Sequence, residues 1–351
     1  MAVRSHVPIV PDSTASGIAE PEPTGLKLLD FPWQPSVAVL IPCLNEAVAI
    51  AKVVADFQAA FPEAKVFVYD NGSTDGTVEA ARAAGAIVRM EPMRGKGNVV
   101  RRMFADIEAD VFILVDGDDT YDASRAPELV RELLKNSLDM INGARRSTGE
   151  AAYRRGHRFG NRLLSGLVAR FFGDQLSDLL SGYRVLSRRF VKSFPALAAG
   201  FEIETELSVH ALQLRMPVSE MQTEYRERPA GTMSKLSTYR DGLRILRTIL
   251  YLVKEEKPLA FFTSMAAVLA IVSLALGVPV VIEFMHTHLV PRLPTALLAA
   301  ALAILAFMSF ACGLILDTVS RGRAEAKRLA YLSLPVRFTP VRPEPLARLR
   351  R

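Results

Sequence analysis

Asp116-Gly117-Asp118-Asp119 places three carboxylates in four positions, directly behind the apolar run Val111-Phe112-Ile113-Leu114-Val115. Carboxylates this close repel one another and shift toward the protonated form unless a cation neutralises them, and hard divalent cations prefer oxygen ligands. The loop therefore reads as a Mg²⁺ or Mn²⁺ site. A polar turn is the alternative, since Asp and Gly also follow strands for purely local reasons. Arg94-Gly95-Lys96-Gly97 opens a helix, and its glycines and cations could approach a diphosphate closely. Pro42-Cys43-Leu44-Asn45-Glu46 and Asp70-Asn71-Gly72-Ser73-Thr74-Asp75-Gly76-Thr77 are two further polar loops, each behind an apolar segment.

The elements that must hold these loops alternate between short strands and amphipathic helices from Val37 onward, which predicts an α/β fold with a largely parallel sheet covered on both faces. Strands are expected at Val37–Ile41, stopped by Pro42, then at Lys65–Tyr69, Ala86–Met90, Val111–Val115 and Leu138–Ile141. Helices are expected over Glu46–Ala60, Thr77–Ala84 with Gly85 as its cap, and Asn98–Ile107. Ligand loops of such sheets lie at the carboxyl ends of the strands, where all three polar loops fall. None fits the Gly-x-Gly-x-x-Gly of a dinucleotide site after the first strand, and no phosphate loop of an ATPase is present.

Beyond this domain the composition changes. Half of the 351 residues are hydrophobic, and mean hydropathy is +0.20. Leu259–Ile282 and Pro294–Leu316 carry no charge, and each is long enough to cross a hydrocarbon core of about 30 Å. A buried helical hairpin is the alternative. The short connector Glu283–Leu293 carries one basic residue, Arg292, whereas Thr318–Arg351 holds nine Lys or Arg against two Glu. By the positive-inside rule, this predicts an inner (cytoplasmic) membrane protein with the α/β domain and both termini in the cytoplasm. The net charge of +6 concentrates near the membrane, which points to anionic lipid rather than nucleic acid. Cys43 and Cys312 cannot meet in this layout, no cleavable signal peptide is expected, and His286 and His288 read as exposed loop residues. Arg240, Arg244, Arg247 and Tyr251 share one helical face and Leu243, Leu246, Leu250 and Val253 another, as in a helix lying in the interface or packed on the domain.

Pro42-x-x-Asn45-Glu46, Asp70-Asn71-Gly72-Ser73-x-Asp75, Arg94-Gly95-Lys96-Gly97 and Asp116-x-Asp118 resemble, in that order, the family 2 glycosyltransferases of GT-A fold. Asp178-x-x-Ser181-Gly182-Tyr183-Arg184 and Arg228-x-x-Gly231-x-x-Ser234-Lys235 resemble the polyprenyl-phosphate sugar synthases among them, the group of dolichol-phosphate mannose synthase. The resemblance spans about Ser36 to Lys235. It implies a GT-A (Rossmann-like) nucleotide-sugar-binding domain, with Pro42, Asn45, Glu46, Asp70 and Lys96 on the donor. It also implies a metal on Asp116 and Asp118, bridging the diphosphate. Asp119-Thr120 replaces the Leu-Gln of many relatives, so Thr120, Asp119 or water supplies a third metal ligand. Glu202 stands where some relatives carry Lys.

The implied activity is an inverting transfer of a sugar, UDP-linked by preference, to polyprenyl phosphate. Arg145, Arg146, Arg154, Arg158, Arg162, Arg228 and Lys235 are candidates to hold the acceptor phosphate, against a solvated basic surface for the first five. Asp178 is expected either to act on the acceptor or to pair with Arg184. The layout expected is a disordered tail over 1–35, the catalytic domain over 36–235, and a juxtamembrane amphipathic helix over 236–257. A two-helix hairpin over 258–317 and a basic tail over 318–351 follow, and the helices offer surfaces for a homo-oligomer. A polysaccharide synthase is disfavoured, because the only tryptophan, Trp33, precedes the fold and cannot supply an acceptor Gln-x-x-Arg-Trp. An inert nucleotide-binding scaffold is disfavoured by the intact carboxylates.

Overall fold

Strand β1 (Val37–Cys43) is buried at nearly every position and lies between β2 (Lys65–Asp70) and β4 (Val111–Leu114), parallel to both. The computed structural model describes residues 34–147, 176–226, 251, 254–255 and 257–335. Arg154, Arg158, Arg162, Arg228, Lys235, Trp33 and nearly all of the amphipathic segment lie outside the described residues.

The sheet has seven strands in the order β3-β2-β1-β4-β6-β5-β7, where β3 is Ile87–Met90, β5 Met140–Ser147, β6 Arg184–Ser187 and β7 Val218–Tyr225. Only β6 runs against the others, paired antiparallel with both β4 and β5. It is a four-residue insertion with a fully buried pattern, too short to carry a readable period. The expected strand at Leu138–Ile141 starts later and runs to Ser147, because β7 pairs with it along its whole length.

Pro42 does not stop β1. Leu40 O accepts from Val115 N and Cys43 O from Asn71 N, so Pro42 turns its backbone to the β4 side, and β4 has already ended there. A proline costs no ladder bond at such a place.

Helix α1 (Ile50–Ala60) buries Ile50, Val53, Val54 and Phe57, and α4 (Ala126–Lys135) buries Leu129, Val130, Leu133 and Leu134. With α2 (Thr77–Ala83) they cover one face of the sheet. On the other face lie α3 (Lys96–Asp106), α5 (Arg188–Ser193) and α6 (Ile203–Leu214), with Val99, Met103, Phe190 and Leu207 in one cluster.

Two helices, α7 (Pro258–Thr287) and α8 (Leu293–Leu332), are long and apolar enough to cross a membrane. They pack as an antiparallel pair, with Ser273 Oγ donating to Ala299 O at 2.8 Å and Ser309 Oγ to Phe262 O at 3.1 Å. His286 belongs to the last turn of α7, and His288 caps it.

The helix at Pro294–Leu316 does not end where its apolar run does. It continues to Leu332 and docks on the catalytic domain. Tyr331 OH donates to Asp139 Oδ2 at 2.7 Å, Arg189 stacks 4.8 Å from the Tyr331 ring centroid, and Lys327 Nζ donates to Gln213 Oε1 at 2.9 Å. Asp139 immediately precedes β5, at the amino end of the sheet. Eight residues before Tyr331, about 12 Å back along a helix, Arg323 lies 3.9 Å from Glu255. Glu255 lines a cavity of about 730 Å³ that extends from Lys327 and His210 to Arg94, Gly95 and Glu202 beside the polar loops. Following α8 toward its apolar part thus leads from Asp139, at the amino end of the strands, along a cavity that reaches the start of α3.

Candidate active site

The polar loops meet because the Asp70 loop ties them together. Asp70 is fully buried and accepts from Gly72 N and Ser73 N, both at 2.8 Å, and from the Ser73 hydroxyl. Its carboxylate builds the turn. Ser73 Oγ then accepts from Asn45 N at 2.8 Å, and Asn45 Oδ1 accepts from Thr74 N at 2.8 Å. Asn45 has φ 51°, a region that Asn enters more readily than most residues. Glu46 N donates to Thr77 Oγ1 at 2.8 Å. Burial pushes the Asp75 carboxyl up, but bonds from Thr77 and Ala47 outweigh it and hold the group below its ordinary value. Asn71 reaches the other way, donating to Glu91 O and Met93 O and accepting from Gly95 N at 2.7 Å.

The glycines of Arg94-Gly95-Lys96-Gly97 admit the protein's own backbone, not a ligand. A Cβ on Gly95 would stand 2.1 Å from Ala199 O and one on Gly97 2.0 Å from Ala198 O. Gly95 adopts φ 125°, and Gly97 N donates to Ala199 O at 3.0 Å. This contact seats the segment before α6 against the start of α3. It brings Glu204, absent from the sequence reading, to Lys96.

Lys96 Nζ lies 2.5 Å from Glu204 Oε1 and bonds Asp116 Oδ1 as well. Burial works against the ammonium, yet Asp116 and Glu204 overcome it and hold Lys96 above its ordinary value. Burial raises Glu204, and Asp116 adds to that, against the pull of Lys96. Glu204 Oε2 is buried without a hydrogen-bond partner. The relevant acid is thus Glu204, two residues beyond the Glu202 that stood out in the sequence.

Asp118 is 3% exposed and its Oδ1 accepts from Thr120 Oγ1 at 2.6 Å. Asp119, at φ 58°, turns outward to Lys52 Nζ at 2.8 Å. Of the two candidates for a third ligand, Thr120 touches Asp118. Gly182 leaves room for the other carboxylate, because a Cβ there would lie 2.2 Å from Asp116 Oδ2. Among the described residues, no three His, Cys, Asp or Glu side chains converge on one point. The donor set is two carboxylates and a hydroxyl, all hard oxygens. It fits a Mg²⁺-type ion that takes one or two carboxylates and completes its shell with water and substrate phosphate.

Asp178 pairs with Arg145 and not with Arg184. Arg145 Nε and Nη2 grip its two oxygens at 2.7 and 2.8 Å, and Arg145 N adds a third bond. Burial raises the Asp178 carboxyl, but Arg145 more than reverses this and leaves it below its ordinary value. Arg184 is fully buried under the 178–183 turn, donating to Leu179 O and Ser181 O, and burial pushes its guanidinium down to about 10. It stays protonated at neutral pH and binds that turn together. The Arg145 guanidinium lies 5.5 Å from the Tyr225 ring centroid. Next in the chain, Arg226 N donates to Thr120 O at 2.8 Å, so the strand that leads toward Arg228 leaves from beside the Asp118 loop.

Residues 38–194 match the glycosyl transferase family 2 domain. The glycosyltransferase AglJ of Haloferax volcanii is 34% identical over 256 residues, covering 72% of this chain and 84% of AglJ. The chain belongs to glycosyl transferase family 2. A dolichyl-phosphate hexose transferase of the same organism is 27% identical over 221 residues, 63% of this chain and 95% of that protein. The solved structure of glucosyl-3-phosphoglycerate synthase from Mycobacterium tuberculosis, bound to Mn²⁺, UDP-glucose and phosphoglyceric acid, is 25% identical. It covers 63% of this chain and 79% of that one, with a TM-score of 0.50. This family 2 glycosyltransferase has a GT-A-like mixed α/β domain, followed by two apolar helices that could span a membrane.

Proposed function

We propose that the protein transfers a sugar from a nucleoside diphosphate sugar, a UDP-sugar by preference, to the phosphate of a polyprenyl phosphate at the cytoplasmic face of a membrane. The observation that supports this reading is the path of α8. From Tyr331 at the amino end of the sheet it runs back toward its apolar part along a cavity that reaches Gly95 and Glu202; with that apolar part in a bilayer, the Asp116 loop would lie on the membrane side. A lipid acceptor needs its phosphate at that height. The similarity to a dolichyl-phosphate hexose transferase supports the same acceptor class.

The acceptor needs no general base, because a phosphate monoester has a second pKa near ~6 and is largely dianionic at neutral pH. One of its oxygens bonds the anomeric carbon as the bond from that carbon to the diphosphate breaks, and the electron pair leaves on the nucleoside diphosphate. The transfer inverts the anomeric centre. Asp116, Asp118 and Thr120 would hold Mg²⁺ or Mn²⁺, which supplies charge stabilisation to the departing diphosphate. Pro42, Asn45 and Glu46 form the nucleoside side, on the loop that Ser73 and Thr77 tie to the Asp70 turn, and Lys96 supplies a cation to the diphosphate. Asp178 acts by holding Arg145 for the acceptor phosphate and not by taking a proton. Arg158, Arg162, Arg228 and Lys235 complete the acceptor's cations in this reading.

The test is transfer of radiolabel from a panel of UDP- and GDP-sugars into undecaprenyl phosphate by detergent-solubilised protein, with Mg²⁺ or Mn²⁺ and an EDTA control. Metal-dependent label in the lipid from one donor is expected. Label in a water-soluble acceptor but never in the lipid overturns the acceptor assignment.

A further inference from the structure

The charges at the donor end are arranged unusually. Two acids, the part-exposed Asp116 and the buried Glu204, share one buried ammonium, and Glu204 keeps a second oxygen with no partner. The backbones that carry Lys96 and Glu204 are locked together through Gly95, Gly97 and the Ala198–Ala199 carbonyls, so neither anchor can drift. What can move is the four-carbon stem of the lysine. Phe201 lies 6.0 Å from Nζ and covers one side. The ammonium therefore has two carboxylate partners within reach of one stem, and one of them is a candidate metal ligand.

We infer that Lys96 is a built-in placeholder for the divalent cation, and that Glu204 is the positioning residue that retains its ammonium when the metal takes Asp116. This deepens the reading of the donor site above and rests on it. Without Glu204, displacement from Asp116 would leave a buried ammonium with no counter-charge, which is costly. With Glu204, the lysine exchanges one carboxylate for a shared position between Glu204 and the incoming diphosphate. Metal and nucleotide then bind cooperatively, because the diphosphate restores to Lys96 the anion that the metal removed.

The test is Mn²⁺ binding to the full-length protein in detergent, read by electron paramagnetic resonance of free Mn²⁺, without and with UDP. For the UDP-free protein, Glu204→Gln is expected to weaken Mn²⁺ binding about tenfold, because Lys96 then competes for Asp116 undivided; a tenfold change is about 1.4 kcal/mol. The Lys96→Met, Glu204→Gln double variant removes both charges together, a change that buried pairs commonly tolerate. It is expected to bind Mn²⁺ about tenfold tighter than wild type and to lose most of the gain from UDP. Equal UDP-free affinity in all three proteins overturns the placeholder. If the double variant fails to fold, unchanged affinity in Glu204→Gln alone overturns it. Wild type that takes up no Mn²⁺ even with UDP overturns instead the metal reading on which the placeholder rests.

Discussion

Asp139, at the amino end of β5, and Asp116, just past the carboxyl end of β4, are acids of one sheet that meet their counter-charges differently. The Asp139 side chain is 0% exposed, and it accepts from Ser187 Oγ and Arg189 Nε at the start of α5 and from Tyr331 OH far along the chain. The Asp116 side chain is 29% exposed and meets one long lysine that a second acid also claims. Saturation from several directions fixes a group for structure. A shared, movable partner leaves it available for exchange, and the contrast separates a support from a site.

Asp139→Ala should hurt most and should hurt folding. It leaves the half-buried Arg189 without its fully buried acid and removes the acceptor of Tyr331, at a cost of about 3 kcal/mol, measurable as a lower denaturant midpoint. Retained stability in that variant would erase the distinction between the two ends. Asp118→Asn should do the reverse, keeping the melting temperature and lowering turnover a hundredfold or more, equivalent to about 2.7 kcal/mol on the barrier. Near-normal turnover would remove the metal role of that loop.

A pH titration sharpens the comparison at another buried group. His210 is wedged between Phe190 and Phe194, with Nδ1 unpartnered, and burial, then Lys327, pull it down to about 3. The folded protein therefore binds fewer protons than the unfolded chain between that value and the ordinary ~6.5. The contribution is whole above ~6.5 and is lost as pH falls toward 3, by up to about 1.4 kcal/mol per pH unit. His210→Leu should flatten stability against pH in that window, and an unchanged slope would show that the histidine charges freely in place. Tyr331→Phe should have the smallest effect, about 1–2 kcal/mol of stability from one lost bond to a carboxylate, with turnover per folded molecule preserved in detergent.

The polar loops were legible in sequence because their parts are local. Asp116, Asp118, Asn45, Asp70 and Lys96 each sit in a short loop behind a strand, and strand ends can be read from apolar runs. The supports were not legible, because they join distant positions. Glu204 gains its meaning only when Ala199 O meets Gly95 and Gly97, and Arg145 rather than Arg184 takes Asp178 only because β6 inserts between β4 and β5. Pro42 misled for a related reason, since whether a proline ends a strand depends on what the neighbouring strand does at that level. The apolar stretches marked the two long helices but not the end of α8, which outruns its own hydrophobicity to reach Asp139.

That reach sets an order of events during synthesis. Tyr331 lies 192 residues after Asp139, so at roughly 5–20 residues per second the nascent catalytic domain waits about 10–40 s for its last clamp. By then both apolar segments have left the ribosome. The domain's last clamp therefore closes only after both apolar helices have been made, so the fold of the sheet and the pairing of α7 with α8 are joined at the final step.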